Sequence, residues 1–243
     1  RFFMRAMHQT GHIGLDEPFA GLFTQGMVNH ATYRDAEGNW TEPQDVVTDA
    51  AGNTVHRTTG SAITVGRVEK MSKSKKNTID PTDVIAEYGA DTARWFILSD
   101  SPPDRDMEWT DAGVQGAWRF VNRIARLISD NLDGLPADNQ HAPVSADDAA
   151  MALRQATHKT IAGVTDDLDR FHYNRAVARL YEFTNDINAF INGSAAGEPA
   201  QRWALLEALE ALVRLLAPMV PHLAEDMWRR LGHDTLLVDT PWP

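Results

Sequence analysis

The sequence predicts a mostly α chain: the end of an α/β unit, a small β-rich insertion, and then an antiparallel α-helical bundle. Three observations carry this. From Thr110 onward apolar residues recur at helical spacing, whereas residues 31–66 are rich in Thr, Val, Gly, Asn and Asp. Between these two textures sits a knot of cations, Lys70-Met71-Ser72-Lys73-Ser74-Lys75-Lys76.

Residues 1–10 read as a helix with Phe2, Phe3, Ala6 and Met7 on one stripe, ended by Gly11. The apolar stretch within residues 19–30 predicts a buried parallel strand. Turn signals at Ala36-Glu37-Gly38-Asn39 and Asp49-Ala50-Ala51-Gly52-Asn53 come next. Val46-Val47-Thr48 and Thr54-Val55-His56 flank the second turn and predict a β-hairpin.

Past the lysines, Asp80 can cap a helix whose first residue is Pro81, and Asp83 suits the positive end of its dipole. Gly89 marks its end. A second helix carries Arg94 to Leu98 and stops at Pro102-Pro103. Then Val114, Ala117, Trp118, Val121, Ile124, Ala125, Ile128 and Leu132 make one apolar helix face. Ser145 with Asp148 resembles a capping box for the next helix. Segments 171–191 and 203–216 repeat the pattern, Pro218 and Pro221 break it, and a last helix carries Leu223, Met227, Trp228 and Leu231. Helices joined by short polar loops pack as an antiparallel bundle, with Trp203 and Trp228 in its core.

Composition narrows the chemistry. The chain lacks cysteine, which excludes disulfides and thiolate metal sites. Its nine histidines show no H-E-x-x-H spacing, so no metal ligands are assigned. No apolar run approaches the roughly 18 residues that cross a bilayer. The net charge is −11, yet Arg67 to Lys76 holds five cations against Glu69 alone. Such a knot on an acidic chain suits a polyanion. Ammonium groups supply charge, while hydroxyls and turn N–H groups supply short hydrogen bonds to phosphate. A solvated basic loop is the competing reading for lysines alone.

The wording of the knot decides between them. Lys70 to Ser74 spell KMSKS, followed by Asn77 and Asp80-Pro81, and this resembles the signature loop of class I aminoacyl-tRNA synthetases. Tyr88-Gly89-Ala90-Asp91-Thr92-Ala93-Arg94 resembles the segment after that loop in the leucine, isoleucine and valine enzymes. Asp91 and Arg94 are expected to fix two helices there. Residues 216–225 with Trp228 resemble the closing helix of the same enzymes' anticodon-binding bundle, and His222 is expected to be a buried hydrogen-bonding residue. Thr24-Gln25-Gly26-Met27-Val28 and a β-rich insertion just before the loop are similar to bacterial leucyl-tRNA synthetases. The isoleucine and valine relatives usually read Lys-Gly-Asn after the pentapeptide, where this chain has Lys75-Lys76-Asn77.

The resemblance implies the late part of a Rossmann-type catalytic domain at 1–33 and a β-rich insertion at 34–66. The KMSKS loop with connecting helices occupies 67–109, and an anticodon-binding bundle 110–243. It implies ATP and Mg²⁺, the metal carried mainly by the ATP phosphates. Lys73 would be the catalytic cation, with Lys70, Met71, Ser72, Lys73 and Ser74 together forming the site for those phosphates. The partners implied are tRNA(Leu), with leucine and ATP in the full-length enzyme, in a cytoplasmic monomer without a membrane. His12-Ile13-Gly14-Leu15 mimics the ATP-site motif HIGH but ends in Leu and stands too near the lysine loop. The true motif and the editing domain are therefore expected outside these residues, in a chain that opens mid-pattern at Arg1. By itself the fragment is expected not to activate leucine.

For tRNA, Arg119, Arg123 and Arg126 share a helix face, and Arg175 with Arg179 offers a further candidate pair. Against 18 anions, residues 110–243 carry 12 cations, a net of −6, so pairing with nearby acids competes with that role. The alternatives are an isoleucyl-, valyl- or methionyl-tRNA synthetase, a non-catalytic tRNA-binding module, and a nucleotidyltransferase. The closing helix argues against the last.

Overall fold

The computed structural model describes residues 1–137, 147–193 and 198–243. Helix α1 (Phe2–Gln9) forms as its periodicity predicts and ends before Gly11, which holds φ 76°. Its apolar stripe is open to solvent: Phe2 is 85% and Phe3 76% exposed.

The strand expected within 19–30 is displaced. Residues 19–27 have no regular structure, and Phe19, Leu22 and Phe23 are exposed. Strand β1 runs Val28–Arg34 instead. Its antiparallel neighbours explain the shift. β1 pairs with β2 (Trp40–Thr41) and with β5 (Thr64–Lys70), so its partners are set by the return of the chain. A parallel pairing survives only at Val28↔Met107 and Asn29↔Glu108, against β6 (Met107–Glu108). Gly26 makes this approach possible. A Cβ there would stand 1.9 Å from the Arg105 carbonyl oxygen, so only glycine lets the two backbones meet.

The β1–β5 hairpin carries the small module between its arms. After a 3₁₀ turn at Pro43–Asp45, β3 (Val46–Thr48) and β4 (Thr54–His56) form the expected antiparallel pair. The Asp49 carboxylate closes their turn by accepting from the N–H groups of Ala51 (2.9 Å) and Asn53 (2.8 Å).

Helix α2 (Pro81–Tyr88) begins where Asp80 accepts from the Thr82 N–H at 2.8 Å, and it ends at Gly89, φ 85°. Helix α3 (Ala90–Asp100) runs directly on. The bundle then comprises α4 (Asp111–Ser129), α5 (Asp148–Asp169), α6 (Tyr173–Gly193), α7 (Pro199–Leu216) and α8 (Pro221–Arg230). The capping box read from Ser145 lies outside the described residues. Asp147 fills the cap itself, accepting from the Ala150 N–H at 2.7 Å.

Helix α7 is apolar on nearly every side, and α5, α6 and α8 pack around it. Leu209 and Leu212 are fully buried there, and truncating such a leucine to alanine costs roughly 2–5 kcal/mol. Trp203 and Trp228 are buried as expected. Trp118 is not: it is 42% exposed, because α4 turns Val114, Phe120, Ile124 and Ile128 inward instead.

Two residues tie α3 to the bundle. Buried Asp91 bonds the His222 ring nitrogen Nδ1 at 2.9 Å and accepts from the Leu223 N–H at 2.7 Å. Arg94 donates to the carbonyls of Met219 (3.0 Å) and Pro218 (2.7 Å), the turn that the two prolines keep out of helix. Asp91 and Arg94 therefore fix helices, as the sequence suggests. His222 makes its bond from the surface, its side chain 78% exposed, so the expectation of a buried histidine fails. As the first residue after Pro221, it can reach Asp91 only from the outer end of α8.

Candidate functional site

Strand β5 delivers Lys70 to the end of the sheet, and the lysines then leave it on a short built turn. Ser72 is extended, and its hydroxyl accepts from the Lys75 N–H at 3.3 Å, capping a 3₁₀ turn over Lys73–Lys75. Carbonyls of Ser72 and Lys73 accept from the N–H groups of Lys75 (3.2 Å) and Lys76 (3.3 Å). Lys76 ends the turn in the left-handed region, φ 52° and ψ 27°. That backbone favours glycine.

Asn77 holds the turn to the sheet. It is fully buried, and its side-chain oxygen accepts from the Ser72 N–H at 2.9 Å. Its amide nitrogen donates to the carbonyls of His30 (3.2 Å), Glu69 (3.3 Å) and Lys70 (3.5 Å). Met71 packs its side chain against the apolar core and so anchors the loop from the other side.

The cations divide into two kinds. Lys75 is half-buried and paired with Glu69, and that hydrogen bond holds the Glu69 carboxyl below its ordinary pKa. Lys70, Lys73 and Lys76 are exposed and have no ion pair among the described residues. Ser74 is exposed too, its hydroxyl 3.3 Å from that of Ser72. Beneath the loop, His30 is 7% exposed, and burial holds its ring below the ordinary histidine pKa. Its neutral ring adds no charge to the site near neutral pH. Lys73 also lines a cleft of about 1020 Å³ between the sheet, the β3–β4 hairpin and helices α2 and α4.

The arginines divide in the same way. Arg119, Arg123 and Arg126 are all exposed on α4, and Arg123 donates to the Asn185 side-chain oxygen at 2.7 Å. None of the three has an acid partner among the described residues. Arg175 and Arg179 do: both point at the fully buried Asp167 carboxylate, at 3.3 Å and 2.6 Å. Competition from acids thus claims Arg175 and Arg179 and leaves the three arginines of α4 without an acid partner among the described residues.

In the sequence Asn77 is part of a signature, with no task of its own assigned. Its signal was an amide side chain one residue after a turn, a pattern that suits bonding back to the backbone. The Glu69–Lys75 pair carried no signal, since it depends on how the turn folds back on β5.

The geometry agrees with what the chain resembles. The family model for the "tRNA synthetases class I (I, L, M and V)" matches residues 57–110, which include the loop. That for the "Anticodon-binding domain of tRNA ligase" matches residues 151–243. A leucine–tRNA ligase of Parvibaculum lavamentivorans is 51% identical over 246 residues, covering 100% of this chain. That of Rhodospirillum rubrum is 51% identical over 243 residues, again across 100% of the chain. Along its whole length the chain is similar to leucine–tRNA ligases. It spans 28% of the length of each of these two relatives. Among solved structures, the ternary complex of Agrobacterium radiobacter K84 agnB2 LeuRS with tRNA and LeuAMS matches 100% of the chain and 26% of its own length. Its TM-score is 0.72 at 29% identity. A Mycobacterium tuberculosis methionyl-tRNA synthetase shares the fold over 62% of the chain and 34% of its own, with TM-score 0.51 and 20% identity.

Proposed function

We propose that these residues form the KMSKS loop and the tRNA-binding bundle of a leucine–tRNA ligase. In the full-length protein the reaction is activation of leucine by ATP, with release of pyrophosphate, and transfer of leucyl to tRNA(Leu). The observation that carries this reading is the loop itself: three exposed ammonium groups, without an ion pair among the described residues, along a strand end and turn held to the sheet by a buried amide.

When the leucine carboxylate attacks the α-phosphate, charge builds on the bridging oxygen and on the β,γ-phosphates. Lys73 would meet those oxygens. A cation that gains most as the charge develops lowers the barrier without holding ATP too tightly. Lys70 and the Ser74 hydroxyl stand beside it, and Lys76 raises the local potential. The Ser72 hydroxyl already accepts from the turn, so its part is to shape the loop. Met71 supports the loop from the core. Mg²⁺ would enter on the phosphate oxygens of the nucleotide.

The tRNA would lie along α4, where Arg119 and Arg126 present forks suited to phosphate. Exposed Trp118 shares that helix.

The deciding experiment is amino-acid-dependent ATP–pyrophosphate exchange by the full-length protein that carries this sequence. Leucine is expected to drive exchange well above every other amino acid. A preference for isoleucine, valine or methionine would overturn the reading, as would no exchange at all.

A further inference from the structure

The loop's aim depends on one residue that touches no phosphate. We propose that Asn77 is a positioning residue for Lys73, and this rests on the role proposed for Lys73 at the ATP phosphates. Four bonds converge on its carboxamide. The oxygen takes the Ser72 N–H at 2.9 Å, which is where the turn begins. The nitrogen reaches the carbonyls of Glu69 (3.3 Å) and Lys70 (3.5 Å), the last residues of β5, and of His30 (3.2 Å) on β1. One side chain thereby fixes both strands of the hairpin and the entry to the 3₁₀ turn that carries Lys73.

The chemistry is selective. The site needs an acceptor on one atom and a donor on the other, both within a fully buried volume. Aspartate would keep the bond from Ser72 and turn an anionic oxygen toward three carbonyl oxygens. Alanine would leave an N–H and three carbonyls to find new partners, and the loop is free to move toward water to find them. Either change loosens the segment that holds Lys73, and a small misplacement of a catalytic cation is felt in the chemical step.

The test is a double-mutant cycle in the full-length protein, read by leucine-dependent ATP–pyrophosphate exchange. Asn77→Ala is expected to lower kcat about tenfold or more, with KM for leucine nearly unchanged. In a Lys73→Ala background the same change is expected to cost less than about threefold, because an already absent cation cannot be misaimed. Asn77→Gln, which restores donor and acceptor on a longer arm, should recover part of the rate that Asn77→Ala loses.

A strong effect of Lys73→Ala with a full, multiplicative loss on adding Asn77→Ala overturns the positioning role and leaves the functional reading standing. A negligible effect of Lys73→Ala removes that reading, and the proposal falls with it. Where Asn77→Ala gives no soluble protein, the cycle is run with Asn77→Ser, a neutral side chain whose hydroxyl keeps some hydrogen-bonding capacity and adds no buried charge. Equal losses of exchange and of leucyl transfer from preformed adenylate would show general damage and count against the proposal.

Discussion

The lysine loop and the α5–α6 corner of the bundle both gather cations, and they treat them in opposite ways. At the corner, Arg175 and Arg179 converge on Asp167, whose carboxylate has no exposure to water. In the loop the one acid nearby, Glu69, takes Lys75, and Lys70, Lys73 and Lys76 stay exposed without an ion pair among the described residues. The corner is built to hold two helices together, so its charge is spent internally. The loop is built to keep charge available, and its order comes from neutral bonds: the Ser72 cap, the turn N–H groups and the Asn77 amide. A cation that is already paired in the resting protein has less to offer a substrate. The contrast separates binding candidates from structural ones better than counting charges does.

The largest expected effect sits on the available side. Lys73→Ala in the full-length protein should lower the rate of leucine activation by on the order of a hundredfold, the usual loss for one preorganised charge contact of about 3 kcal/mol. Leucine binding and transfer from preformed adenylate should suffer far less. Pre-steady-state kinetics separates the two steps. A larger loss for Lys75→Ala than for Lys73→Ala would break the comparison at its base, since Lys75 is the paired lysine.

Much of this contrast is legible in the sequence, and the part that is not has a physical cause. Helices α2 to α8 can be read because their caps and apolar spacing are local: Asp80, Pro81 and Gly89 act within a few residues of their own helix. The β3–β4 hairpin is legible for the same reason. The strand at 19–30 is misplaced because its apolar residues stay exposed, while β1 is chosen by distant partners in β5. Trp118 looks like core by periodicity, yet α4 buries Phe120 instead, which stacks on Trp95 at 4.8 Å. In the loop, the pentapeptide marks the lysines out as a group. Which one is already paired depends on the turn bringing Lys75 back over Glu69, and no local pattern encodes that.

On the structural side, Asp167→Ala should destabilise the fold by on the order of 2 kcal/mol, since it removes the buried carboxylate that accepts from Arg179 and pairs with Arg175. For a domain of this size that lowers the melting temperature by roughly 4–8 °C. Leucine activation by the folded protein should be unchanged. Thermal melting combined with exchange assays below the transition distinguishes these. A catalytic loss without a change in melting would mean that the corner is not merely structural.

For tRNA the comparison predicts two classes of arginine. Arg119→Ala and Arg126→Ala should each make the slope of log K against log salt shallower by about 0.7–0.9, as expected for one lost phosphate contact. Arg175→Ala should leave the slope unchanged, because its charge is committed to Asp167. Filter binding of tRNA(Leu) over a range of salt measures this. Equal slopes for all three variants would remove α4 as the contact surface.

Glu69 offers a smaller test within the loop. Its pKa is lowered by Lys75, so its contribution is present above the ordinary value of 4.5 and is lost as the pH falls through the lower folded value. Near neutral pH the pair is intact. Glu69→Gln should therefore free Lys75 and change activation only a few-fold, with no new pH dependence between about 6 and 8. A loss as large as that of Lys73→Ala would show that Lys75 must be held for the loop to work.

The smallest effect is expected at Lys76. Its backbone is left-handed, φ 52° and ψ 27°, a conformation that costs a side-chain-bearing residue roughly 1–2 kcal/mol relative to the right-handed region. Lys76→Gly removes that strain, but glycine also loses about 0.5–1 kcal/mol more conformational entropy on folding. The two partly cancel, so stability should rise by roughly 0–1.5 kcal/mol. The substitution also removes one exposed ammonium at the far end of the turn, beyond Lys73. Lys76→Ala loses the same charge and keeps the strain. If Lys76 only raises the potential around the phosphates, both variants should activate leucine at similar rates, within about threefold of the parent, and only their melting temperatures should differ, with glycine higher. A rate for Lys76→Ala well below that of Lys76→Gly would show instead that the left-handed turn shapes the path of Lys73. A large and equal loss in both would place Lys76 among the phosphate ligands and redraw the line between the lysine that acts and those that only surround it.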